Sequence, residues 1–237
     1  MTANPGSLKE RYEAVLDRVS SAASASARSL DDIKVIVVSK NHPAQLVLDL
    51  IDFGARDFGE NRDQEAAPKA AEVASVSAVE LNWHFVGQLQ SNKVKSVLKY
   101  ASSVHSIDRD SLRKAISKEV NSIREVNPGF SIDGFIQLNL TDDPNRGGIS
   151  PDELPEFAES LLADQTINLL GVMGVASLEN KPEQDFETIA KASAELQKVS
   201  PKSSSISMGM SQDFEVAISF GATHLRIGSA ITGKRQY

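Results

Sequence analysis

Short, nearly unbroken apolar runs rich in Val and Ile alternate along this chain with longer segments whose apolar residues recur every three or four positions. The run 33–38 (IKVIVV) lacks polar alternation, as a strand buried on both faces should. After it, His42-Pro43 opens a helix carrying Leu46, Val47, Leu50 and Ile51, and Gly54 stands where a helix C-cap belongs. The same reading predicts further strands at 56–58, 82–86, 102–106, 132–140, 167–175, 203–207 and 223–227. Between them it predicts helices at 63–76, 93–100, 109–125, 151–163, 182–199 and 212–220. About eight βα units make this an α/β chain, expected to close as a single (β/α)8 TIM barrel spanning residues 1–237. A doubly wound open sheet holds the same alternation with fewer strands and is the competing fold. Ahead of the first strand, Leu8, Tyr12, Val15, Leu16 and Val19 mark an extra N-terminal helix, a 1–30 extension packed on the barrel. Its Ser/Ala-rich tail, 20–29, reads as the helix end and a loop.

Composition narrows the partners. Twenty-five basic against thirty-two acidic residues leave a net charge of -7, the wrong sign for gripping nucleic-acid phosphates. There is no cysteine, so disulfides, thiolate metal sites and a cysteine nucleophile are excluded, and a reducing compartment is compatible. No segment has the long apolar run of a membrane span, and the first nine residues lack the apolar core of a secretory signal. A soluble cytoplasmic chain is expected. The acidic surface, without an obvious apolar strip, makes a monomer the default.

A barrel places its site at the C-terminal ends of its strands, so distant motifs converge there. Five strings fall at such ends: Val38-Ser39-Lys40, Phe58-Gly59-Glu60-Asn61, His84-Phe85-Val86-Gly87, Ser207-Met208-Gly209-Met210-Ser211 and Arg226-Ile227-Gly228-Ser229-Ala230. Lys40 closes the most hydrophobic run, where lost solvation favours the neutral, nucleophilic amine that forms Schiff bases. A lysine that merely ends a strand and reaches to water is the plainer alternative. The segments after the last two strands of a barrel recur as phosphate sites, and Ser207 or Ser229 would add a hydroxyl donor. Gly209 and Gly228 read equally as ordinary turn glycines.

Taken in order, with Trp83 before the third string, Leu89-Gln90-Ser91-Asn92-Lys93 after it, Asp213 after the fourth and Ile231 after the fifth, these strings resemble the YggS/PROSC family of pyridoxal phosphate homeostasis proteins across essentially the whole chain. The resemblance implies that Lys40 carries pyridoxal 5'-phosphate as a Schiff base and that Ser207, Gly228 and Ser229 hold its phosphate. It implies that Arg226 faces the pyridine nitrogen and that Asn61, His84, Met208 and Ser211 line the pocket. Position 229 is Ser where the family more often has Thr, which keeps the hydroxyl. The family is similar in barrel and cofactor placement to the N-terminal domain of alanine racemases, but no residues follow Tyr237 to build those enzymes' second, β-rich domain. The expected role is therefore storage and delivery of the cofactor, with transient contact to the apoenzymes that receive it. A weak amino-acid racemase is the alternative, and a cofactor-free barrel aldolase with Lys40 as nucleophile is more remote.

A guanidinium beside the pyridine nitrogen cannot accept its proton, so the ring would stay a weak electron sink. No second acid or base is identifiable, since Tyr12, Tyr100 and Tyr237 lie in helical or terminal segments. His84 and His105 read weakly as a metal pair, because no ligand spacing recurs. Lys93, Lys95 and Lys99 read as a solvated helix face, with capture of an anionic cofactor the lesser option. The family resemblance also implies that the turn-rich stretch from Asp142 to Gly148, after the fifth strand, lies at the pocket rim, with no role assigned to it.

Overall fold

A computed structural model describes residues 6–141, 143, 146–177 and 180–233. Eight parallel strands close into a barrel in sequence order. They are β1 (Lys34–Val38), β2 (Asp57–Glu60), β3 (Asn82–Phe85), β4 (Ala101–Ile107), β5 (Ile132–Gln137), β6 (Ile167–Met173), β7 (Ser205–Ser207) and β8 (His224–Ile227). Closure comes from β8 pairing with β1, with Ile36 opposite Arg226 and Val37 opposite Ile227. The open doubly wound sheet is thereby ruled out.

The connecting helices are α2 (Ala44–Asp52), α3 (Asp63–Val76), α4 (Val94–Val97), α5 (Asp110–Arg124), α6 (Leu154–Asp164), α7 (Pro182–Val199) and α8 (Phe214–Ser219). Each turns an apolar stripe to the sheet. In α2 the buried positions are Ala44, Val47, Leu50 and Ile51, and Gly54 follows with φ +98°, the left-handed turn that a glycine tolerates without strain. Among the described residues no helix is long and apolar enough to cross a membrane.

The helix ahead of the barrel, α1 (Leu8–Ala25), opens on a capping box between Ser7 and Glu10 and buries Tyr12, Val15, Val19 and Ala23. It lies against α8 and a last short helix, α9 (Ser229–Thr232). Arg18 pairs with Glu215 at 2.5 Å and covers the ring of Phe214. Arg28, just past α1, donates to the carbonyl of Ala222 at 2.6 Å, and Arg11 donates to that of Ile231 at 2.7 Å. The first two tie the extension to α8 and to the turn before β8, and the Arg11 bond ties it to the segment that begins with Gly228 and Ser229.

Several boundaries differ from the sequence expectation. The run 132–140 carries apolar residues to its end, at Leu138 and Leu140, yet the strand ends at Gln137; Leu138 makes only an isolated bridge to Ile149, reached through the following loop. The strand expected to start at 203 starts at Ser205, since the hydroxyl of Ser203 is taken up by the carbonyl of Leu169. The helix expected at 93–100 splits into a 3-10 turn, Ser91–Lys93, and the single α-turn of α4. Helix α9 is too short to leave a periodic signature and was not expected.

Candidate functional site

The C-terminal ends of the strands open into a cavity of about 1040 Å3. Lys40 lies two residues beyond β1 in a turn closed by the bond from the His42 amide to the Ser39 carbonyl, 3.1 Å, with Asn41 at φ 62°. The turn brings Lys40 to the cavity wall. Among the described residues its ammonium makes no hydrogen bond or ion pair, so the amine is free for a ligand.

Beneath this turn lies a group of polar side chains that the sequence reading missed. Ser39 is fully buried and donates to Glu60 Oε1 at 2.8 Å. Lys69, from α3, reaches the same oxygen at 2.5 Å and donates to the Ser39 carbonyl at 2.9 Å. With Glu60 and Lys69 both buried, this is an interior ion pair that pins the backbone bearing Lys40. Only the Phe-Gly-Glu-Asn string and an unusually placed lysine in α3 hinted at it.

Beyond β2, Asn61 presents a side-chain oxygen that is buried and has no hydrogen-bond partner. A buried acceptor without a donor is costly, and one on a cavity wall is the signature of a site that a ligand completes. Across from it Gly87 passes so close to the Asn61 backbone that a Cβ there would sit 2.3 Å from its carbonyl oxygen.

On the far wall, Ser211 Oγ accepts the amide of Ala230 at 3.2 Å, which leaves its own proton to donate. The amides of Gly228 and Ser229 have no backbone acceptor among the described residues, so they are available to an anion. Gly209 is different. At φ +89° its missing Cβ would fall 2.7 Å from that of Ala217, so this glycine is required by the turn and its packing, not by a ligand's approach.

Arg226 forms the floor. Its Nη1 donates to Ser207 Oγ at 2.7 Å and its Nη2 to the carbonyl of Gly174 at 2.8 Å. Burial pulls its pKa down to about 10, partly offset by Asp213, and it remains a cation at neutral pH. A buried guanidinium whose two near acceptors are both neutral leaves its charge to be met by what enters the cavity or by more distant groups.

Of the nine residues singled out from the sequence, Lys40, Asn61, Ser211, Arg226, Gly228 and Ser229 converge on this cavity. Three do not. Ser207 lies below Arg226 with its hydroxyl bonded to that side chain and to His105 Nδ1. Met208 is wholly buried in the core, and His84 points into the barrel, where it meets Asp57 at 3.0 Å. His105, stacked on Phe135 with ring centroids 4.3 Å apart, belongs to the same interior layer, and no group of three or more metal-ligating side chains forms among the described residues. Lys95 and Lys99 are exposed and Lys93 leans toward Asp63 at 3.9 Å, away from the cavity. In the loop after β5, Asp142, Pro144 and Asn145 lie outside the described residues, as does Tyr237. Arg146 reaches the carbonyl of Ala176 on the cavity rim at 3.3 Å. His42, Val86 and Met210 also line the cavity and were not picked out as pocket residues.

Residues 13–236 match the family model described as the alanine racemase N-terminal domain. The pyridoxal phosphate homeostasis protein of Escherichia coli K12 is 37% identical over 226 residues, covering 94% of each chain. That of Pseudomonas aeruginosa is 33% identical over 230 residues, covering 97% of this chain and 96% of its own. The chain belongs to the pyridoxal phosphate homeostasis protein family. Membership agrees with the YggS/PROSC resemblance carried by the strand-end strings. Among solved structures, PipY of Synechococcus elongatus with pyridoxal phosphate bound superposes with a TM-score of 0.80 at 31% identity, covering 96% of this chain and all of PipY. The alanine racemase of Corynebacterium glutamicum has a TM-score of 0.66 at 14% identity and covers 93% of this chain but 63% of its own, a likeness of fold alone.

Proposed function

We propose that this chain binds pyridoxal 5'-phosphate in the cavity at the mouth of its barrel and serves to hold and release that cofactor rather than to turn over an amino acid. The observation that carries the reading is the set of unsatisfied groups lining one cavity: the free amine of Lys40, the orphaned oxygen of Asn61 and the open amides of Gly228 and Ser229. Each matches a different part of one ligand. When bound, the cofactor supplies an aldehyde that condenses reversibly with an amine, releasing water, and a phosphate dianion. Lys40 is the amine in this reading, carried on the turn whose Ser39 carbonyl accepts from Lys69. Gly228 and Ser229 take the phosphate through their amides, and Ser211 adds a hydroxyl donor. Ser207, expected beside the phosphate, acts instead beneath Arg226 by accepting its Nη1–H.

Arg226 faces the pyridine nitrogen in this arrangement. As a buried cation it donates and cannot accept a proton, so it leaves the ring nitrogen unprotonated and the ring a poor sink for electrons. That favours holding the cofactor over carbanion chemistry. The racemase reading draws on one observation, the imidazole of His42 on the same wall as Lys40. The reading extends to a monomer in the cytoplasm that meets apoenzymes transiently.

The deciding experiment loads the protein with cofactor and follows two outcomes in parallel: reactivation of an added apoenzyme, and loss of α-deuterium from labelled alanine and serine. Reactivation faster than by the same free cofactor concentration, with no exchange, is expected. Exchange at rates typical of enzymes, abolished by Lys40→Ala and by His42→Ala, would replace the carrier with a racemase.

A further inference from the structure

The barrel axis is filled not by apolar side chains alone but by a line of polar ones that runs from one end to the other. At the closed end, formed by the first residues of the strands, Asp57 accepts from Lys34 at 3.2 Å, from Asn82 at 3.1 Å and from His84 Nε2 at 3.0 Å. His84 Nδ1 is 2.7 Å from Ser103 Oγ, which is 3.1 Å from His105 Nε2. His105 Nδ1 is 2.8 Å from Ser207 Oγ, the acceptor of Arg226. A second contact, His84 Nδ1 to His105 Nε2 at 3.1 Å, bypasses Ser103.

The direction of every bond in this line follows from its two ends. Arg226 can only donate, so Ser207 must pass its own proton on, and among the described residues its one acceptor is His105 Nδ1. A neutral His105 then carries its proton on Nε2 and donates to Ser103, which donates to His84 Nδ1. His84 is left with its proton on Nε2, facing Asp57. Starting from the other end gives the same result, because a carboxylate can only accept. Both imidazoles are neutral, as burial requires: desolvation pushes His105 well below its ordinary value and lowers His84 despite Asp57 beside it. Ser103, His105 and Ser207 are buried to within 2% of completely, so water does not scramble the order. Hydrogen bonds aligned this way strengthen one another.

We propose that Asp57, at the closed end of the barrel, is a positioning residue for Arg226, acting through the one-way chain His84, Ser103, His105 and Ser207 to fix the guanidinium in the orientation that meets the cofactor's ring. The assignment of the ring to Arg226 rests on the function proposed above; the chain itself does not. The Ser207 proton is drawn toward His105 and so toward Asp57, which makes its oxygen the better acceptor and holds the Arg226 plane. No net proton moves. Asp57 sets the polarity of the line; against the cost of burial, the bond from His84 and the charge of Lys34 keep it ionised, and Asn82 helps hold it in place.

The test has two readouts on the full chain. In protein labelled with nitrogen-15, without cofactor, long-range proton–nitrogen correlation should find His84 and His105 both as the Nε2–H tautomer; either ring protonated on Nδ1 overturns the proposal whether or not any cofactor binds. In Asp57→Asn, which keeps the shape but not the charge, His105 should become a mixture of tautomers. Its affinity for pyridoxal phosphate should fall about fivefold, the loss of one hydrogen bond's net worth, with a shifted absorption band. Ser103→Ala cuts the line midway and should act in the same direction; Ser207→Ala should do so more strongly, with Ser207→Thr restoring it. Wild-type affinity and spectrum in both Asp57→Asn and Ser103→Ala, with both proteins folded, would overturn the remote role while leaving the cofactor site intact.

Discussion

Acidification should unfold this protein earlier than its carboxylates alone would require, because three histidines are held neutral inside the barrel. Burial drives His224 down to about 3, His105 well below the ordinary imidazole value, and His84 in the same direction. The unfolded chain takes up a proton at each near pH 6.5, whereas the folded chain does not, so stability rises with pH through this window and falls on acidification. Between about pH 7.5 and about pH 5, each histidine that stays neutral when folded costs about 2 kcal/mol by linkage. His105 and His224 together cost about 4 kcal/mol, a large part of an ordinary domain's stability, with His84 adding to it. Urea unfolding followed by the fluorescence of the single tryptophan, Trp83, which is buried, reads the loss directly. His224→Phe removes one titrating ring from a site already flanked by Phe135 at 5.0 Å, and should recover about 2 kcal/mol of the acid loss. Stability unchanged from pH 7.5 to 5.5, or a His224→Phe variant with the same acid slope as the parent, would refute the reasoning.

Three further outcomes follow from the site's geometry. Lys69→Met leaves Glu60 buried with only the Ser39 hydroxyl for company, and should cost about 3 kcal/mol in chemical denaturation; pairing it with Glu60→Gln should recover most of that, and an additive double variant would contradict the coupling. Asn61→Ala should change the stability of the cofactor-free protein by less than about 0.5 kcal/mol, since its oxygen has no partner to lose, while weakening pyridoxal phosphate binding about fivefold by titration calorimetry. Gly87→Ala drives a methyl group into the Asn61 backbone and should lower thermal stability by about 1–3 kcal/mol as well as cofactor affinity; an unperturbed melting temperature would contradict the close approach.

The barrel was legible because strands buried on both faces leave nearly continuous apolar runs, and β1 is the clearest example. Their ends were less so. Past Gln137 the residues Leu138, Asn139 and Leu140 still alternate apolar and polar as a strand does, and nothing in residue type marks the departure from the sheet. The candidate site was legible as strand-end strings, which brought Lys40, Asn61, Ser211, Arg226, Gly228 and Ser229 to one cavity. What strings do not give is facing. Successive side chains of a strand point to opposite sides, so Ser207 and Met208, adjacent in sequence, go to the barrel axis and the core. The axial line draws its members from β2, β3, β4, β7 and β8 and so has no local signature beyond the polar residues Ser102, Ser103, His105 and Ser106 of β4. Likewise the pairing of Glu60 with Lys69 joins a strand end to the middle of the next helix, a contact made when α3 folds back over the end of β2.

The central claim is that Lys40 holds pyridoxal phosphate, and borohydride reduction of the cofactor-loaded protein followed by mass mapping of its peptides tests it most directly. The account predicts a visible absorption band that reduction abolishes, with the added pyridoxyl phosphate mass on the peptide containing Lys40 and absent from Lys40→Ala. A protein that takes up no cofactor, or an adduct fixed on Lys69, Lys93 or another lysine while Lys40 stays unmodified, would contradict it.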